Sequence, residues 1–305
     1  MQEIHPERGM LQQTNHNAKA CKVQPRRPIR QLQKNCKAGT AEREGTDMST
    51  WKIVKTGKMP KIQNPALIEG LPGIGNVGKV AIDFIIEELK ADKIYELESN
   101  HMPNSVFVNE QNLIELPTIS VYHKKADKRD ILLVGGDAQP IDEPSTYDFS
   151  ETVLDILKSF DGNEIITLGG IGLPTVPKSP KVYCTGTSKE FIEKYAKGTT
   201  LNPNLYGIVG PIMGASGILL GLAKRRNINA ISFLAETYGH PMYLGIRGAR
   251  EIVRIINNKF SLGIRISQLD KEIRELEEEA ARTTKAALPK AMRGLQKGSD
   301  ASYIG

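Results

Sequence analysis

The chain has 305 residues, 39% of them hydrophobic and 25% charged, enough to bury a core in one large α/β domain or two small ones. No apolar run approaches the roughly 18 residues that would cross a bilayer, and the N-terminus lacks the apolar stretch of a secretory signal. The formal charge of +6 is concentrated early: residues 1–47 hold nine Lys/Arg against five Asp/Glu and the rest 32 against 30, so a nucleic-acid reading would rest on a tail.

Cys21, Cys36 and Cys184 are odd in number and widely spaced, which suits a reducing cytoplasm and matches no zinc or CxxC pattern. His5, His16, His101, His123 and His240 are scattered, so neither a metal centre nor a cofactor is expected from them.

Residues 1–47 are rich in Gln, Asn, Lys, Arg and Pro without apolar periodicity, and read as a disordered basic segment. Met48-Ser49-Thr50-Trp51 reads as an alternative true start, which would put residues 1–47 outside the protein, and the α/β domain is expected over 48–262. An apolar run at 66–68 then meets Gly70-Leu71-Pro72-Gly73-Ile74-Gly75-Asn76-Val77-Gly78, followed by an amphipathic segment at 77–89. Strand, tight loop and helix in that order open a βαβ unit.

Three readings compete for this loop. Gly73-x-Gly75-x-x-Gly78 matches a dinucleotide fingerprint, with Glu96 or Glu98 as the residue for a ribose hydroxyl. Gly73-x-x-x-x-Gly78-Lys79 matches most of a P-loop, but Val80 stands where Ser or Thr would contact Mg²⁺. In either case Gly73, Gly75, Asn76, Gly78 and Lys79 form the candidate anion loop. The third reading is structural: the glycines turn the chain and let the helix pack on its strand.

Strands are predicted at 93–98, at 105–109, 113–116 and 119–123 as short pieces, and at 130–134 before Gly135-Gly136. Ser145 is expected to cap a helix over 146–160, stopped by Asp161-Gly162-Asn163. A buried strand at 164–168 ends in Gly169-Gly170; strands at 181–185 and 230–235 and helices at 188–196, 213–224 and 247–258 complete the pattern. Apolar strands ending in glycine pairs and separated by helices predict a three-layer α/β/α sandwich around a mostly parallel sheet. Loops 70–78, 135–140, 169–177 and 235–240 would then line one crevice.

Catalytic chemistry is hard to find. Ser216 lacks the spacing of a nucleophile elbow and reads as a packing residue. Asp137, Asp142, Glu143 and Asp148 have no His or Lys beside them in a known acid–base pattern, and His101 and His240 are loop histidines. No catalytic residue is assigned.

The whole string from Gly70 to Gly78 resembles the archaeal proteasome-assembly-chaperone family, whose members are sometimes labelled ATP-grasp proteins. His101-Met102-Pro103, Gly169-Gly170, the segment from Gly210 to Gly217, and Glu236-Thr237 fit the same family, over residues 51–260. The resemblance implies an α/β sandwich, self-association, and docking on proteasome α-subunits in place of catalysis. The alternative is a nucleotide-dependent enzyme, ligase or dehydrogenase-like, using loop 70–79.

Residues 263–289 form the next unit. Ile266, Leu269, Ile273 and Leu276 recur at spacings of three and four, predicting a coiled-coil-like helix whose seam joins protomers or packs back on the domain. Pro289 ends it, and residues 290–305 read as a flexible tail. Proteasome chaperones and activators often dock through a C-terminal hydrophobic–Tyr–any tripeptide. Here Tyr303, Ile304 and Gly305 are the corresponding partner-binding residues, displaced by one because Tyr303 is third from the end.

Overall fold

The computed structural model describes residues 50–127, 129–241, 243–267, 270, 271 and 274. The N-terminal segment 1–47, the seam residues Leu269, Ile273 and Leu276, and the tail residues Tyr303, Ile304 and Gly305 lie outside them. Ile266 is described, and it packs against the core of its own domain.

In chain order the described elements are β1 (Lys52–Lys55), β2 (Ala66–Gly70), a 3₁₀ turn (Ile74–Asn76), α1 (Val77–Leu89), β3 (Asp92–Glu98), β4 (Phe107–Val108), β5 (Ile114–Glu115), β6 (Ile119–Lys125), β7 (Asp130–Gly136) and α2 (Glu143–Ser159). They continue with β8 (Glu164–Leu173), β9 (Val182–Gly186), α3 (Lys189–Ala196), β10 (Leu201–Asn202), α4 (Gly214–Arg225), β11 (Asn229–Tyr238) and α5 (Ile246–Phe260).

Alternation along the central strands builds the layers. Leu67, Leu132 and Ile165 turn to one face while Ile68, Leu133 and Ile166 turn to the other, because successive strand residues point to opposite sides. The first face is covered by α2 and α4 through Phe149, Leu154 and Leu219. The second is covered by α1, α3 and α5 through Ile82, Ile85, Phe191, Ile252 and Ile256.

The nine strands run in the order β1-β3-β6-β7-β2-β8-β11-β9-β10. Only β7-β2-β8-β11 and the β9-β10 pair are parallel; β1-β3-β6-β7 and β11-β9 pair antiparallel. The sheet is therefore mixed, which corrects the expectation of a mostly parallel one. Residues 126–129 are all that join β6 to β7, too short a link for a parallel crossover. The cap of α2 is likewise Asp142, whose carboxylate accepts the Ser145 N–H at 2.8 Å, so the helix begins before Ser145.

Small residues let α4 lie close to the sheet, yet Gly221 on its exposed side has open space where a Cβ would stand. Gly221→Ala should therefore stabilise by up to about 1 kcal/mol, since glycine inside a helix gives up more backbone freedom than alanine. Urea unfolding measures it; a loss of stability would mean that the α4 surface is covered.

Candidate functional site

The carboxyl ends of β2, β7, β8 and β11 lie at one end of the sheet, and the glycine loop crosses there. Gly75 has φ +60° and Asn76 φ +50°, both left-handed, which lets the chain leave β2 and enter α1 within a few residues. The Gly75 carbonyl accepts the Gly245 N–H at 2.7 Å, joining the loop to the start of α5. A side chain on Gly70 would strike the Gly78 carbonyl, one on Gly78 the Leu168 carbonyl, and one on Gly170 the Ile74 carbonyl. The loop is thus seated directly on β8.

Lys79 donates to the Gly136 carbonyl at 3.1 Å and pairs with Asp83 and Asp137 at 3.0 and 3.6 Å. Its charge is used to hold α1 on the end of β7. Glu96 and Glu98 lie on β3, which β6 and β7 separate from β2, and they pair with Lys93 and Lys52. Neither is beside the loop, as a ribose-binding acid would have to be.

A cavity of about 440 Å³ opens beside the loop. Of the five anion-loop candidates, Gly73 and Gly78 border it; Ile74, Gly169, Ile212, Met213, Gly214 and Ser216 supply more of its wall. Gln139 ties its rim together, donating to the Pro72 carbonyl at 2.5 Å and accepting the Ala215 N–H at 3.0 Å.

Beneath Ser216 lies a polar row that sequence reasoning missed. Glu69, Thr167 and Ser232 are register partners on β2, β8 and β11, all fully buried. Thr167 donates to Ser232 at 3.0 Å, and Ser216 donates to Glu69 Oε2 at 2.9 Å. The Leu71 N–H donates to Glu69 Oε1 at 3.1 Å. Burial pushes the Glu69 carboxyl up to about 7, although both hydrogen bonds favour its ionised form. The only sequence signal for this row was an acidic residue inside an otherwise apolar strand.

His101 Nδ1 sits 3.6 Å from Asp142, a pairing of half-exposed groups that the sequence did not suggest. His240 stacks on Tyr238, with ring centroids 5.6 Å apart. Cys184 is buried in β9, and among the described residues no three His, Cys, Asp or Glu side chains are grouped as metal ligands.

A model of the PAC2 family matches residues 67–284, well over half of the sequence. The chain belongs to the PAC2 family. That match takes in the glycine loop, the polar row and the cavity wall. Among similar solved structures, PbaB of Pyrococcus furiosus, described as an archaeal proteasome activator, is 33% identical with a TM-score of 0.69. The alignment covers 78% of this chain and 100% of PbaB. PbaA of the same organism, described as an archaeal homolog of proteasome-assembly chaperone, is 25% identical with a TM-score of 0.64, covering 81% of this chain and 97% of PbaA. An uncharacterized protein of Methanocaldococcus jannaschii is 29% identical over 224 residues, 73% of this chain and 84% of that one. PAC2 membership and these neighbours fit the expectation that the chain is not an enzyme.

Proposed function

We propose that this chain is a cytoplasmic proteasome chaperone-like protein that binds α-subunits of the core particle. The observation that carries the reading is the match over the full length of PbaB at 33% identity. The contact is the segment of Tyr303, Ile304 and Gly305, with Tyr303 as aromatic anchor and Ile304 as its apolar neighbour. The seam continued by Leu269, Ile273 and Leu276 helps protomers associate, so that several arms engage one ring together.

Deleting residues 303–305 tests the arm. An anchoring aromatic commonly contributes 2 kcal/mol or more, so binding to an isolated α-ring should weaken roughly 30-fold while the melting temperature stays unchanged. Undiminished binding by the truncated chain would move the contact to the folded domain. No binding by either form would remove the α-subunit reading.

A further inference from the structure

Two apolar surfaces at the carboxyl end of the sheet are uncovered, and they differ in charge. One is the β4–β5 hairpin, which stands apart from the nine-stranded sheet as its own two-stranded piece. Val106, Phe107, Val108, Leu113, Ile114 and Leu116 are between 46% and 73% exposed on it. Its turn is specifically built: the Asn109 side chain accepts the Gln111 and Leu113 N–H groups at 2.9 and 3.0 Å and donates to Glu115 at 2.7 Å. Residues 94–123 contain four Glu and no Lys or Arg. A hairpin is marginal by itself, and an uncovered apolar edge invites association.

The other surface is the mouth of the cavity. Ile74, Ile208 and Met213 are exposed at its rim, Met213 to 76%, and Tyr206 projects next to it. Residues 198–223 carry no charge at all. Lys178 and Lys181 are exposed on the loop that runs from cavity-lining Gly172 to β9. Glu236, beside them, accepts the Lys181 N–H and the Tyr183 hydroxyl, and Asp142 and Glu143 border Met213 on the α2 side of the mouth.

We propose that the β4–β5 hairpin of one copy seats in the cavity mouth of a second copy, a head-to-tail interface between identical chains. Charge disfavours hairpin meeting hairpin, because Glu110 and Glu115 would face their own kind; on the loop side of the mouth, opposite Asp142 and Glu143, they meet Lys178 and Lys181. In its own chain the hairpin stands exposed and contributes nothing to the cavity wall. The hairpin leaves the sheet at β6, three strand spacings or about 14 Å from β8. Its base is pinned by Thr118, which donates to Asp137 through N–H and hydroxyl at 3.0 and 3.2 Å. Six large, half-exposed apolar side chains reach the few hundred Å² at which a patch commonly serves recognition. A head-to-tail contact leaves one hairpin and one mouth free at the ends, so copies add until a ring closes, or continue as a filament where the rotation between neighbours does not close. This interface does not depend on the α-subunit reading.

The full chain is tested by sedimentation as two variants, Ile114→Asp with Leu116→Asp, and Ile208→Glu with Met213→Glu. Each alone should associate at least tenfold more weakly than the unaltered chain. Mixed in equal amounts they should form a dimer, since one intact hairpin and one intact mouth remain. A photo-reactive side chain at position 114, in a mixture of isotopically heavy and light chains, should cross-link between chains to residues 206–213. This readout stands even where another segment keeps copies together or the double variants melt early. A monomeric unaltered chain at ~100 µM, cross-links within one chain, cross-links from hairpin to hairpin, or no cross-links would each overturn the proposal.

Discussion

Valine at position 75 should lower stability by about 3 kcal/mol. Gly75 holds φ +60°, where a side chain costs roughly 1–2 kcal/mol and a β-branched one more. The added Cβ would also fall 2.6 Å from Thr237 Oγ1 and 2.8 Å from its Cγ2. Thr237 is buried on β11, so the clash is met by overpacking, commonly 1–3 kcal/mol. The loop cannot retreat freely, because its carbonyl is held by the Gly245 N–H. A urea midpoint should fall far below that of Gly221→Ala, whose site is open. An unchanged midpoint for Gly75→Val would mean that the loop is not seated on β8 and β11 as described.

That glycine was legible in the sequence as a turn, but its neighbour across space was not. Thr237 lies 162 residues further along, and nothing local in either segment announces the other. The same division runs through the fold. Runs such as 131–134, buried on both faces, are recognisable as strands from hydrophobicity alone. Strand direction is not, because a doubly buried strand reads the same whichever way its neighbours run. β1 was missed because it is a short edge strand flanked by Lys52 and Lys55, with little burial to leave a pattern. Gln139 and Glu69 were missed for a further reason: each acts through partners distant in sequence, Gln139 through Pro72 and Ala215, and Glu69 through Ser216.

Replacing Glu69 by glutamine should change how stability depends on pH. In the folded protein the carboxyl keeps its proton up to about pH 7, whereas in the unfolded chain it loses it near 4.5. Between those values the native state binds the additional proton, so raising the pH favours unfolding. The cost grows from pH 4.5, is complete above about pH 7, and amounts to about 3 kcal/mol at 1.36 kcal/mol per unit of pKa. Glutamine has no charge to desolvate, and its carbonyl can still accept from either Ser216 or Leu71. Its amide N–H groups need acceptors in return, which offsets part of the gain. Glu69→Gln should thus be more stable than the unaltered chain at pH 8, and the difference should shrink toward pH 5. Urea titrations of both proteins across that range measure it. Parallel curves would show that Glu69 ionises alike in folded and unfolded chains. A difference that grows on acidification would mean that the folded protein holds the ionised form, and that Ser216 and Leu71 outweigh burial.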